Sequence, residues 1–282
     1  MINQQIFFMG AGHGGKAALR SLLTEFPVLE IVTLDENVRA LARQGDIVHN
    51  SITAIEAQFG VMSGHNTLIS PELIARKTIL NVHYSLLPRY RGMHPVVWAL
   101  LNLEPEVGLT VHLVDEGMDA GPIIHQYRIV YQNETSWELM QVFYDYVARE
   151  LGQITTAFLA GRLPPVTQDK RFATWVPRRN IDDCLVNFLW PADRLRAFFR
   201  ALVRPYPLPA ILVRGQRYEI SSAVVVERPY FCDVGRVLNV DAEGAWLKCA
   251  DSLLVVRKLI DSGGVEHVAQ GFLRAGMRLV ET

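Results

Sequence analysis

Three side chains stand out for the chemistry their types allow: Asn81 and His83, two residues apart, and Asp119, in a loop punctuated by Gly117 and Gly121. An amide donates hydrogen bonds without ionising, an imidazole carries a proton near neutral pH, and a carboxylate orients and charges its neighbours. In a strand, side chains at i and i+2 share a face, so Asn81 and His83 of Thr78–His83 point one way while Val82 enters the packing. Taken singly, a strand-end histidine or a turn aspartate is more often a hydrogen-bonded structural group. The three come in order, on a strand and the loop after the strand Gly108–Val114, and so are weighed together.

The elements that must position them emerge from pattern. Gln5–Gly10 reads as a buried strand, Gly10–Gly15 as a turn and Lys16–Thr24 as a helix; Leu29–Leu34, Gly60–Ser63 and Thr78–His83 read as further strands, with a helical Pro71–Arg76 among them. Met93–Asn102 reads as a helix, Gly108–Val114 and Pro122–Tyr131 as strands, and Trp137–Ala160 as a long helix. This order predicts an α/β fold with a Rossmann-like, mostly parallel sheet, in which ligands gather where the strands run out. After Gly161 the pattern breaks; Pro191–Val203 has helix character, and Ile211–Val213, Arg217–Val226, Gly235–Val240, Ala245–Cys249 and Leu253–Ile260 alternate with turns. These predict a smaller β-rich C-terminal domain, mostly antiparallel, such as a barrel. The expected division is a catalytic domain over 1–165, a connecting segment with a helix over 166–209, and the β-rich domain over 210–282.

Composition excludes several classes. Lys plus Arg number 28 against 29 Asp plus Glu, so nucleic acid held through counterion release is not the expected partner. The three cysteines lack ligand spacing, so neither zinc nor any other metal is expected and a reducing, cytoplasmic setting is. No apolar stretch approaches the roughly 18 residues a membrane span needs.

The segment Asn81-Val82-His83-Tyr84-Ser85-Leu86-Leu87-Pro88, then Arg91-Gly92, then Gly108-Leu109-Thr110-Val111-His112, then Asp119-Ala120-Gly121 resembles the folate-dependent formyltransferases, with Asn81 and Asp119 spaced as in that family. The resemblance is strongest over residues 60–130 and implies formyl transfer from N10-formyltetrahydrofolate to a primary amine, with Asn81, His83 and Asp119 as the catalytic three. An amine attacking a formyl carbon builds negative charge on oxygen and must shed a proton, so a donor and a proton carrier are both required. Asn81 and a protonated His83 would donate to that oxygen, and Asp119 would orient His83. The resemblance also implies folate contacts at Asn66, Thr67, Leu68 and Ile69, and at Asp115, Gly117 and Met118.

The pattern Gly10-x-Gly12-x-x-Gly15, with Asp35 twenty residues beyond Gly15, matches the loose dinucleotide fingerprint and makes a nicotinamide oxidoreductase a competitor. That reading leaves the Asn81, His83 and Asp119 pattern unexplained. A formyltransferase would use the same turn, with Gly12 and His13, to approach a substrate phosphate. For the acceptor, Ala173–Asp183 and Val203–Pro207 resemble formyltransferases acting on nucleotide-linked 4-amino sugars, which implies a nucleotide-linked amino sugar substrate bound by Ser85, Arg91, Arg178 and Arg179. A methionyl-tRNA formyltransferase is the alternative, though the basic surface expected of it is missing. Trp175 and Tyr206 would either stack on a base or, the expected case, pack in the core; His112 is expected to be a satisfied strand histidine, and a homodimer through the β-rich domain stays open.

Overall fold

The computed structural model describes residues 5–65, 67 and 69–279. Contacts divide the chain into two units: Met1–Val96 with Pro105–Tyr131 and Glu138–Pro177, and Val97–Glu104 with Gln132–Trp137 and Arg178–Thr282.

The first unit opens with β1 (Ile6–Gly10), α1 (Gly12–Glu25) and β2 (Leu29–Val32), and both strands are buried throughout, as expected for parallel strands covered on two faces. Next come α2 (Glu36–Arg39), β3 (Ile47–His49), β4 (Phe59–Ser63), α3 (Pro71–Ile74) and β5 (Thr78–His83). Asp35 caps α2 by accepting from the Asn37 amide at 2.9 Å, and Ser70 caps α3, with Pro71 as its first residue. The short β6 (Arg91–Gly92), β7 (Glu106–Leu113), β8 (Ile123–Val130), α5 (Ser136–Leu159) and β9 (Trp175–Val176) complete the series; α4 (Pro95–Leu101), between β6 and β7 in the chain, counts mostly with the second unit. The sheet has seven strands in the order β3-β2-β1-β4-β5-β7-β8. It is parallel from β3 to β5, while β7 and β8 run antiparallel. The order reverses between β1 and β4, the switch point at which open α/β sheets form a crevice.

Glu30 interrupts the apolar run of β2 at 1% exposure. Its carboxylate accepts from the Ala57 amide at 2.7 Å, the Glu56 amide at 2.9 Å and Gln5 Nε2 at 3.2 Å, and meets His49 Nε2 at 3.0 Å. It therefore ties β2 to the chain entering β4. Glu30→Ala should cost about 2–4 kcal/mol of stability, because buried amides lose their acceptor. Chemical denaturation measures this, and a variant unfolding like wild type would refute the role.

The second unit holds α6 (Ala192–Ala201), β10 (Ala210–Val213), β11 (Gln216–Glu227), β12 (Val237–Asp241), β13 (Gly244–Lys248), β14 (Ser252–Ile260) and β15 (Glu266–Val268). Its sheet runs β10-β11-β14-β13-β12, with β15 beside β14 and every pair antiparallel. Among the described residues that path ends at β10 and β12 rather than closing on itself. The core includes Ile220, Val237, Leu247, Leu254, Val256 and Leu273.

Candidate active site

β5 and β7 run antiparallel, with Asn81 opposite His112 and His83 opposite Thr110. Since both strands alternate faces, these four side chains share one face. Thr110 anchors the turn after β5: its hydroxyl donates to Ser85 O at 2.6 Å and accepts from the Leu87 amide at 3.1 Å. Ser85 is buried, and its hydroxyl donates to Arg89 O at 2.7 Å, so it serves the turn rather than facing outward. The turn brings Tyr90 O within 2.8 Å of His83 Nε2, so that nitrogen carries the proton it donates there.

Asp119 arrives from the loop between β7 and β8. Its backbone is left-handed, φ 49°, and its Oδ2 accepts from the Gly92 amide at 2.8 Å. Oδ2 lies 3.5 Å from His83 Nδ1, and Oδ1 lies 3.6 Å from His112 Nε2. Asn81 Nδ2 is 3.2 Å from the same His112 Nε2, while His112 Nδ1 donates to Leu113 O at 2.8 Å. The structure thus brings Asn81, His83 and Asp119 together and adds His112 between two of them. Sequence alone makes His112 a satisfied strand histidine, and its ring is bonded at both nitrogens, accepting from Asn81 while lying beside Asp119.

Burial is the largest influence on Asp119 and works upward, but the His112 bond, His83 and the Gly92 amide outweigh it and hold the carboxyl at about 2. His83 moves below its ordinary value because burial disfavours the imidazolium, although Asp119 and the Tyr90 carbonyl oppose that. The resting His83 is therefore neutral, with its Nδ1 lone pair toward Asp119. A ring neutral at rest suits a base that accepts a proton beside a permanent negative charge, and the protonated His83 expected from sequence is the form that follows that transfer.

The Asp119 loop is clamped from outside the sheet. Gln168, 5% exposed, donates through Nε2 to Asp119 O at 2.8 Å and Gly121 O at 2.7 Å, and accepts from Arg91 Nη2 at 2.6 Å. Arg91 is buried at 5% exposure and is held inside the fold, so its side chain does not reach outward as a substrate contact would. β6 pairs with β9, and the Tyr90 amide donates to the Thr174 hydroxyl at 2.8 Å. Gly92 must be glycine: its φ is 108°, and a β-carbon would stand 2.3 Å from Val176 O.

The remaining expected contacts make bonds of their own. Gly12 donates its amide to Asp35 Oδ2 at 2.7 Å, and His13 stacks on Tyr144 at 5.8 Å. Asp115 accepts from the Gly117 amide at 3.0 Å, and Met118 is 51% exposed. Asn66 and Leu68 lie outside the described residues. Thr67 lines a cavity of about 1260 Å³ beside Gly10, Ala11, Asp35 and Ile52, whose lining omits Asn81, His83 and Asp119. There Asp35 occupies the Gly12 amide and places negative charge against it, which counts against a phosphate at this turn, whether of a dinucleotide or of the substrate expected at Gly12. In the second unit Arg178 is exposed, while Arg179 donates to Asp183 O and lies over Trp98 at 4.8 Å. Trp175, expected in the core, is 63% exposed on the two-residue β9, with the Arg91 guanidinium 5.6 Å from its ring centroid. Among the described residues no group of three or more His, Cys, Asp or Glu is placed to hold a metal ion, and no helix is long and apolar enough to cross a membrane.

Residues 16–150 match the family described as formyl transferase, and residues 180–275 match the formyl transferase C-terminal domain. The chain belongs to the formyl transferase family. It is a formyltransferase, and its family draws the formyl group from N10-formyltetrahydrofolate. Among relatives, the methionyl-tRNA formyltransferase of Synechococcus sp. is 30% identical over 243 residues, 81% of this chain and 74% of that protein. That of Carboxydothermus hydrogenoformans is 29% identical over 83% of this chain and 76% of its own. In fold, the chain is similar to an N-formyltransferase from Helicobacter canadensis in complex with folinic acid and dTDP-3-aminofucose, with TM-score 0.69 and 17% identity over 91% of this chain and 99% of that one. It is also similar to HypX from Aquifex aeolicus in complex with tetrahydrofolic acid, with TM-score 0.62 and 16% identity over 95% of this chain; the formyltransferase spans about half of HypX, 46% of its length.

Proposed function

We propose that this formyltransferase moves the formyl group of N10-formyltetrahydrofolate onto the primary amine of a nucleotide-linked amino sugar, a 4-amino-4-deoxy sugar by its resemblance. The observation that carries the chemistry is the convergence of Asn81, His83 and Asp119 at the carboxyl end of β5. When bound, the folate supplies the activated formyl carbon. His83 Nδ1 would take the proton that the attacking amine sheds and return it to the folate N10 as the formyl–N10 bond breaks; Asp119 would stabilise the imidazolium in between, and Asn81 has a second amide hydrogen for the oxygen that gains charge. The Asp115–Met118 turn would take the folate: Met118, half exposed, offers an apolar side chain, its sulfur 3.6 Å from where a Gly92 β-carbon would stand.

The sugar acceptor is supported by charge. With 28 basic and 29 acidic side chains, the chain lacks the excess that neutralising tRNA phosphates calls for. The near end-to-end fold match to the Helicobacter protein, which binds dTDP-3-aminofucose, supports it as well. The identity to methionyl-tRNA formyltransferases favours the second reading, transfer to initiator tRNA. Turnover with N10-formyltetrahydrofolate is measured against a panel of nucleotide-linked amino sugars and initiator methionyl-tRNA, with Asn81→Ala and His83→Ala as controls. A 4-amino sugar formylated by wild type and by neither control is the expected result. Formylation of tRNA alone would replace the acceptor.

A further inference from the structure

Trp175 is a large apolar ring on a well-anchored backbone, yet it stands in solvent. β9 is fixed to β6 through the Arg91–Trp175 and Gly92–Val176 register, and the Arg91 amide donates to Thr174 O at 2.9 Å. One face of the indole is taken: the Arg91 guanidinium lies 5.6 Å from its centroid. That guanidinium is buried, its hydrogen-bond partner is the neutral Gln168 amide, and its Nε has no acceptor. A permanent cation with no carboxylate partner among the described residues thus lies beneath the ring. By contrast, Arg171 beside exposed Phe172 is neutralised by Asp169 at 2.6 Å.

We propose that the open face of Trp175 stacks the nucleobase of the acceptor, making this residue a specificity-determining contact for the nucleotide half of the substrate. This rests on the nucleotide-linked acceptor proposed above. The ring is rigid, so stacking costs little ordering, and the Arg91 field favours a planar group tied to phosphate over a neutral ring. Position agrees as well. Gly92, next to Arg91, holds the Asp119 carboxylate, so a base on Trp175 keeps the sugar within reach of the reacting groups. Met118 offers the apolar edge for the formyl donor, which leaves the indole for the other substrate.

The test titrates the full chain with UMP, dTMP and p-aminobenzoylglutamate while following tryptophan fluorescence, alongside kinetics with the nucleotide-linked amino sugar. The protein has five tryptophans, so Trp175→Phe identifies the signal. Nucleotide should quench wild type, and Trp175→Phe should lose most of that quenching while holding affinity within about threefold. Trp175→Ala should bind nucleotide ~10–100-fold more weakly and raise the KM for the acceptor with kcat and the KM for the formyl donor nearly unchanged. Quenching by p-aminobenzoylglutamate alone, or nucleotide affinity unchanged in Trp175→Ala, overturns the proposal. Nucleotide binding through Trp175 without turnover of any nucleotide-linked sugar would instead sink the acceptor reading and leave the stacking contact standing.

Discussion

Exchanging Asp119 for asparagine is expected to slow formyl transfer by about 10²–10³-fold at neutral pH while leaving KM for both substrates close to wild type. Asparagine has the same outline and can still accept from the Gly92 amide through its oxygen. What it lacks is the charge that stabilises an imidazolium at His83 in a buried site. The pH profile separates this from a general loss of structure. The wild-type rate should rise with pH through the folded pKa of His83, which lies below 6.5, and then level off. Because Asp119 holds that value up, removing its charge should shift the rising limb to lower pH while the plateau falls.

Stability responds to the same groups with a definite sign. Between 3.8 and about 2 the unfolded chain holds a proton at Asp119 that the folded chain does not. The contribution, about 2 kcal/mol, is full above that window and lost as pH falls through it. His83, whose folded pKa is lowered, likewise costs stability as pH falls below 6.5. Denaturant midpoints at pH 7, 5 and 3 should decline in wild type, with the lowest-pH part of the decline absent in Asp119→Asn. A variant plateau equal to wild type would remove Asp119 from the chemistry.

Gln168→Glu should lower kcat by about 10–100-fold with the fold intact. Glutamate matches glutamine in shape and keeps the acceptor for Arg91, now as an ion pair. It cannot donate to Asp119 O or Gly121 O, and so meets two carbonyls with an oxygen. The loop that carries Asp119 in its left-handed conformation then loses the grip that fixes it. Gln168→Leu also strips Arg91 of its partner, so it should lose stability as well as rate. Wild-type kcat and pH profile in Gln168→Glu would show that the clamp does not govern the carboxylate.

Strands such as β1 and β14 were legible because runs of buried apolar residues leave little choice of element. The two- and three-residue strands β3, β6, β9 and β15 carry no period to read, and they exist because other parts of the chain present unpaired backbone beside them. Asn81, His83 and Asp119 stood out as an ordered motif. His112 lay in that motif too, as the second polar residue of Thr-x-His, but its role needs the antiparallel register that puts it opposite Asn81. Gln168 was beyond reach from sequence. It bonds to residues 49 and 77 positions away, and a lone glutamine in a connector announces no such partner. Trp175 misled because apolar rings are usually packed, whereas here the tertiary structure supplies a partner for one face only.

The stretch from Val166 to Pro177, which belongs to neither the sheet's strands nor a long helix, carries Gln168, Thr174 and Trp175. This has a bearing on recombination between relatives. A chimera joined just after α5 would import these three side chains along with a foreign C-terminal module, mismatching a clamp to the loop it must hold. A join after Pro177 would keep the clamp native and exchange only the C-terminal module. The productive crossover point for exchanging the C-terminal module therefore lies well beyond the end of the long helix at Leu159, on the far side of the clamp, and it leaves the Trp175 contact as it is.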